Sequence, residues 1–579
     1  MCIHSKKFEE QLSTAAVLRN LNCKATDQIQ TRIIMNVSKR IPSQQRFSSL
    51  DERFLTVLKK KTKRWMDREA LRMNILAAVQ ICDTIRTMLG PKGMNKLVYG
   101  ENVVTFSSDS ETFLNEAGVT NPIGRMLVDL AKVQRDQIGD GSTSLVLLTG
   151  ALLKEADKLI DIGIHPSTIC SAYRISKEKA LAILDELASK VDLDQAVLEK
   201  VAGTAMRESV QKHKNIVAQA VLHVAQSRGS YLDRDMIKIQ PQKGRSTFDT
   251  ELVEGVVLKS ERLSHAIPRR ISKAKIALLD FPISKTSVRT DLRMEIRDPQ
   301  SYGRLHEREE KIVEDLVDKI QTSGATAVFD QKGFEKNAWR YFASRGIFVA
   351  KRATTKDMRL LEKASGATLT STIDDLSPDR LGFAEIVEER KFNEEKVVVV
   401  EGCKNPQAVT IFARAPTDAS LETLEKELKR SIGAVTSMIE DPRILPGGGA
   451  IEMELSRRLR EYCSDMSSRE RLGIEAFAKA LEEIPTALVR NSGSKPTDVL
   501  VQMKALHNSG EVWAGFDSYS MSVVDVAEAG IYDVYRVKSH MIKLAVDAAI
   551  SILRIDDVII ASRLTKKEAE ERGYEKADH

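Results

Sequence analysis

Three short stretches of this 579-residue chain concentrate residue types able to hold an anion. They are Leu89-Gly90-Pro91-Lys92-Gly93-Met94-Asn95-Lys96, Gly139-Asp140-Gly141-Ser142-Thr143-Ser144 and Pro446-Gly447-Gly448-Gly449-Ala450. Glycines let backbone N–H groups converge on phosphate oxygens, and a helix starting directly afterwards adds the positive end of its dipole. The hydroxyls of Ser142, Thr143 and Ser144 supply further donors. Asp140 suits that company only when it faces a cation, which points to Mg²⁺ shared between a carboxylate and a phosphate. Each loop alone reads first as a plain turn or helix cap. Their combination is what argues for a nucleotide. None is a Walker A sequence, because the Lys-Ser/Thr ending is missing, and none carries a dinucleotide fingerprint.

The elements that must position these loops follow from apolar periodicity. Asp67–Leu89 has a helical face of Leu71, Ile75, Leu76, Val79, Ile81 and Ile85 that stops at Gly90-Pro91. Thr105–Leu114 reads as a strand and turn, Ile123–Ile138 and Leu145–Ile162 as helices, and Pro166 restarts a helix toward Leu187. After about residue 210, strand-like runs appear at Leu252–Leu258, Lys275–Leu279, Ala325–Phe329, Gly346–Val349 and Lys396–Val400. Amphipathic helices lie between them, at Glu307–Ile320 and Asp357–Ala364. Helical texture returns near Leu421 and includes Ile451–Cys463, Leu472–Glu483 and Ile542–Ile552. The order helical, α/β, helical predicts one discontinuous helical domain with an α/β insertion.

Composition bounds the class. Hydrophobic residues at 42% and charged residues at 29% describe a folded globular chain. The formal charge of +6 is local: residues 1–64 carry 14 Lys+Arg and 5 Asp+Glu, which leaves the body at −3. No nucleic-acid partner is expected of a body with that balance. Six scattered cysteines without a CxxC pair argue against a disulfide framework or zinc cluster and fit a reducing compartment. No apolar run reaches a membrane span, and a cytoplasmic location is expected.

Taken together, the motifs resemble the group II chaperonins, the archaeal thermosome and eukaryotic cytosolic chaperonin family, with wording closer to archaeal members. The similar stretches are DREALRMNILAAVQICDTIRTMLGPKGMNKLV at 67–98, QIGDGSTS at 137–144, LEKASGATLTSTIDDL at 361–376, GFAEIVEER at 382–390, VEGCKNPQAVTI at 400–411, LPGGGAIEMEL at 445–455 and AISILRIDDVIIASR at 549–563. The resemblance implies a multidomain α+β chain. An equatorial domain would take 65–186 and 421–563, an intermediate domain 187–250 and 388–420, and an α/β apical domain 251–387. The apical domain would carry a helical lid protrusion near Arg297–Ile320. A basic extension at 1–64 and a polar tail at 564–579 lie outside the resemblance. Also implied are ATP and Mg²⁺, a stacked double ring with paralogous subunits, and non-native protein as substrate.

Carried over residue by residue, Gly90 and Pro91 match the phosphate loop and Asp140 matches the Mg²⁺ ligand. Gly139, Gly141, Ser142, Thr143 and Ser144 would surround the phosphates. Gly448, Gly449 and Asp533 would meet the nucleoside, although Val534 stands where the family has Pro. Asp109 matches an acid that positions the γ-phosphate and attacking water.

Several positions depart from the pattern. Ser110 replaces a glycine and Glu111 a small residue, which predicts loop strain and repulsion of the γ-phosphate. The second acid of the family, seventeen residues before Gly447, is here Arg430. Arginine cannot accept a proton from water, and Glu427, one helical turn earlier, is the alternative acid. The hinge reads Arg414-Ala415-Pro416-Thr417, with both family glycines lost. The expectation is an ATP-binding chaperonin subunit with weakened hydrolysis. The alternative is a non-hydrolysing structural or regulatory subunit. Leu305, Ile312 and Leu316 in the protrusion are ordinary packing residues or client contacts.

Overall fold

The computed structural model describes residues 63–99, 104–228, 233–244, 246–284, 299–392, 395–403, 407–464, 466 and 468–560. A small unit formed by the two chain ends contains strand β1 (Lys63–Met66), which pairs with a strand at Asp557–Ile560. All that follows concerns the second unit, Met66–Asp556.

Its first helical block comprises α1 (Asp67–Arg86), an antiparallel hairpin of β2 (Lys96–Tyr99) and β3 (Val104–Ser107), then α2 (Ser110–Glu116), α3 (Pro122–Gln137), α4 (Ser142–Ile162) and α5 (Pro166–Leu187). The boundaries have local causes. Asn121 and His165 accept N-terminal amide hydrogens ahead of a proline in the first turn of α3 and α5, and Gly163 ends α4 at φ 99°. The expected apolar face of α1 holds at Leu71, Ile75 and Ile85, whereas Leu76 is exposed. The expected strand and turn at Thr105–Leu114 is β3 followed by a helix, because Asp109 caps α2.

The chain then runs through β4 (Ser189–Lys190), α6 (Gln195–Ala205) and α7 (Lys214–Arg228) into the strand-rich region. There β5 (Ile237–Lys243), β6 (Glu251–Val253), β7 (Gly255–Leu258) and β8 (Arg270–Leu279) precede α8 (Pro299–Thr322). Next come β9 (Ala327–Asp330), α9 (Trp339–Ser344), β10 (Phe348–Val349), α10 (Thr355–Ser365), β11 (Leu369–Thr370), β12 (Gly382–Phe392), β13 (Glu395–Cys403) and β14 (Val409–Ala415). The run expected as one strand at Leu252–Leu258 is two, β6 and β7, which join different sheets. A mixed seven-stranded sheet has the order β10-β9-β8-β12-β13-β7, with β11 parallel to the end of β8. Strand β14 lies between β5, parallel, and β6, antiparallel. Helix α8 begins before the expected Glu307, and Val313, Val317 and Ile320 bury against one face of the large sheet. Leu316 packs beside them, Ile312 is exposed, and the Leu305 side chain and Arg297 lie outside the described residues.

Helix α11 (Asp418–Glu440) opens the second helical block with a capping box of Thr417 and Ser420. It is followed by β15 (Arg443–Pro446), α12 (Ala450–Ser464), α13 (Glu470–Leu481), α14 (Glu483–Asn491), α15 (Pro496–Asn508), the hairpin β16 (Ala514–Asp517) and β17 (Ser522–Asp525), α16 (Val526–Ala529), β18 (Tyr532–Val534) and α17 (Tyr535–Leu553). One core joins the two blocks: Ile75, Leu127, Leu148, Tyr173, Leu455, Phe477 and Val546 are buried together. A second core joins α6, α7 and α11 to the inner face of the large sheet. Among the described residues no helix is long and apolar enough to cross a membrane.

One buried group makes this packing sensitive to acid. His213, just ahead of α7, is 3% exposed, and its Nε2 has no hydrogen-bond partner. Burial, helped by Lys212, pushes its imidazole down from 6.5 to about 4. Below pH 6.5 the unfolded chain takes up a proton that the folded chain refuses until about pH 4, so stability falls through that window. In urea titrations across that range, His213→Gln is expected to flatten this loss relative to the unsubstituted chain.

Candidate functional site

The three glycine-rich loops converge on one cavity of 330 Å³. Gly90 and Pro91 line it, positioned by the end of α1. Gly90 has φ 89°, and a Cβ there would lie 2.7 Å from Leu488. The Asn491 side chain holds this turn by donating to the carbonyls of Arg86 and Leu89, at 2.9 and 2.8 Å.

The second loop supplies Asp140, Gly141, Ser142, Thr143 and Ser144. Gly141, at φ 84°, is the N-cap of the 21-residue α4 and gives it no side-chain cap. The first amide groups of a long helix are thus presented to the cavity without a capping side chain, where an anion would satisfy them. Gln134 steadies the loop by donating to the Asp140 carbonyl at 2.8 Å. The third loop supplies Gly448 and Gly449, at φ 61° and 80°. Added Cβ atoms would meet the Phe516 carbonyl oxygen at 2.6 Å and Pro485 at 2.7 Å, so both positions need glycine.

Two expected residues lie off the wall. Gly139 does not line the cavity; it has φ 92° and packs backbone to backbone on Gly433 of α11. Asp109 stands behind Ser142. Its Oδ2 accepts the Thr112 amide hydrogen at 3.1 Å, and its Oδ1 accepts from the Ser142 hydroxyl at 3.5 Å. The departures beside it are milder than their residue types imply. Ser110 opens α2 without a positive φ, and its hydroxyl accepts from Thr143 at 3.0 Å. Glu111 is buried and turned to Arg135 and Asn115 rather than to the cavity. Burial raises its carboxyl above the usual range against the pull of Arg135. Ser110 thus has no strained φ, and the Glu111 carboxylate is engaged away from the cavity.

Arg430 does line the cavity and is heavily engaged. Its Nε is 3.5 Å from Asp140 Oδ1, its Nη2 is 3.2 Å from Glu427 Oε2, and both nitrogens donate to the Ala205 carbonyl that closes α6. Burial would lower the arginine, but Glu427, Asp140 and Asp109 outweigh it and hold the guanidinium charged. Burial pushes the Asp140 carboxyl up, with Arg430 opposing. Glu427 is off the cavity wall: it is 2% exposed and lies 3.4 Å from Arg207 Nε. Arg207 in turn donates to the carbonyls of Met88, Gly93 and Ser108, tying the first loop to the Asp109 turn.

Asp533 also lines the cavity, paired with Lys538 at 2.9 Å; Lys538 reaches Glu452 at 2.5 Å. Burial works against the Lys538 charge, and the two acids more than offset it, raising the lysine above its usual range. The wall further includes Lys200, Lys214 and Tyr519, which no motif marked.

The site does not fit a conventional Mg²⁺ ion. Such an ion is held through carboxylate and phosphate oxygens, and the Asp140 carboxylate already faces a guanidinium.

Fold and site together define a multidomain α+β protein with a glycine-walled cavity at the start of α4. Residues 81–563 match the model of the TCP-1/cpn60 chaperonin family. The chain is 42% identical to a thermosome subunit of Methanopyrus kandleri, covering 89% of this chain and 96% of the relative. It is 39% identical to a thermosome subunit of Methanocaldococcus jannaschii, with 90% and 98% covered, and 40% identical to the thermosome beta subunit of Archaeoglobus fulgidus, with 88% and 95% covered. The chain belongs to the chaperonin family, in its group II, thermosome branch.

The Gly139–Gly433 contact yields a test with a discriminating sign. Alanine normally stabilises a helix interior over glycine by about 0.5–1 kcal/mol. A Cβ on Gly433 would sit 2.5 Å from Gly139 Cα. Gly433→Ala is therefore expected to destabilise by about 1–3 kcal/mol, read from chemical denaturation.

Proposed function

We propose that this chain is an ATP-binding subunit of a double-ring chaperonin, assembled with paralogous subunits, that acts on non-native protein and hydrolyses ATP slowly. One observation carries the reading: three glycine loops meet at one cavity whose wall bears Arg430 in place of a proton-accepting acid. The triphosphate would lie against Gly90, Pro91 and the amide groups of Ser142, Thr143 and Ser144 at the start of α4. The nucleoside would lie by Gly448, Gly449 and Asp533. Asp109 is the remaining acid near the α4 terminus able to polarise an attacking water through Ser142. The cofactor in this reading is ATP.

In this reading residues 65–186 and 421–563 form the equatorial domain, 187–250 and 388–420 the intermediate one, and 251–387 the apical one. Support comes from the core shared by the two helical blocks. The body's charge favours protein over nucleic acid as substrate, and the place of action is the cytoplasm. A second reading, a subunit that binds ATP without hydrolysing it, is favoured by Glu427. Its carboxylate is committed to Arg207 and Arg430, so it does not replace the missing acid.

Loss of a group that acts on the attacking water lowers the chemical step more than nucleotide binding. Single-turnover hydrolysis by the assembled protein is expected to run about a hundredfold or more below a thermosome relative measured beside it, or about 2.7 kcal/mol in barrier. ATP affinity should be comparable. Asp109→Ala is expected to reduce the residual rate further and leave affinity in place. Matching rates would overturn slow hydrolysis, and bound ATP recovered intact would select the second reading.

A further inference from the structure

The cation expected beside Asp140 has a protein counterpart. We infer that the Arg430 guanidinium is the cavity's resident cation, standing in for a divalent metal, so that this chain binds nucleoside triphosphate without Mg²⁺. The inference rests on the proposed nucleotide reading and specifies the form of the ligand.

Placement comes first. Arg430 is held at the cavity wall by two carboxylates, those of Asp140 and Glu427, and by the terminal carbonyl of α6 at Ala205. These contacts employ Nε and Nη2; among the described residues none involves Nη1. A guanidinium so fixed is always charged, and its planar array of donors matches phosphate oxygens. Ser142, at the start of α4, shares the cavity wall with Arg430, so helix amide groups and guanidinium serve the same anion.

Charge accounts for the rest. An arginine in place of a carboxylate raises the local charge by two, which is what Mg²⁺ would contribute. Adding the ion as well would set a dication against a guanidinium and draw Asp140 away from its partner. Elsewhere on the wall Lys200, Lys214 and Lys538 are matched by Glu199, Asp517 and Asp533, so the local excess at Asp140 is set by Arg430. A divalent ion beside Asp140 is therefore redundant for neutralising the triphosphate and is opposed by that guanidinium. The same guanidinium occupies the place from which water would be deprotonated, so one residue explains both metal-free binding and slow chemistry.

The test is calorimetric titration of ATP into the full-length protein, once with excess MgCl₂ and once with EDTA. Affinity is expected to agree within about threefold between the two. Arg430→Gln keeps donors for the Ala205 carbonyl but not the charge, and should weaken binding in EDTA by about tenfold or more, with Mg²⁺ recovering part of it. Arg430→Asp, where it folds, should make binding strictly Mg²⁺-dependent. Loss of more than about tenfold in affinity on chelation in the unsubstituted chain would overturn the inference and leave the nucleotide reading standing. So would an Arg430→Gln chain that binds ATP in EDTA as well as its parent. Absence of ATP binding in both buffers would instead overturn the nucleotide reading, and this inference with it.

Discussion

The cavity depends on a contact that has no side chains in it. Gly139 and Gly433 meet so closely that a Cβ built on either would fall within 2.5 Å of the other's Cα. The first belongs to the loop that launches α4, the centre of the helical core; the second lies in α11, which packs in the other core. Only two glycines allow the loop to rest on the helix at this separation. Once it does, the residue after Gly139 and the residue one turn before Gly433 must share a small space. They are Asp140 and Arg430, so their pairing follows from the backbone approach.

Around that pair the charges form a closed set. Arg430 answers Asp140 and Glu427, while Glu427 also answers Arg207. Arg207 spends its remaining donors on loop carbonyls that shape the cavity rim. Removing one member of a buried pair leaves an uncompensated charge at a cost of about 3–5 kcal/mol. That cost applies to the buried Glu427–Arg207 pair, and Glu427 is held where it braces the arginines instead of reaching water.

Much of this was legible in the sequence, and unevenly so. Residues whose backbone has few choices were readable: Pro166 marked the start of α5, and each of the three loops proved to contain glycines with positive φ, Gly90, Gly139, Gly141, Gly448 and Gly449. Arg430 was identified by counting, because α11 runs unbroken between the hinge and the glycine loop. What could not be read was the direction of side chains. The resemblance makes Asp109 a reacting acid, and only the geometry places its carboxylate at the head of α2 behind Ser142. Glu111 looked disruptive because its partner, Arg135, is on another helix. Lys200, Lys214 and Tyr519 reach the cavity from segments with no motif, since a wall assembled from distant segments leaves no spacing to detect.

The shared helical core also sets a timetable. Helices α1 to α5 bury their apolar faces against α12, α13 and α17, which the ribosome makes several hundred residues later. At the usual rate of synthesis that interval is on the order of tens of seconds, with an apolar surface exposed and a long insertion emerging meanwhile. Contacts this distant in sequence form slowly, because the loop between them must close first. A nascent chain of this design keeps that apolar surface uncovered until its second helical block has been made.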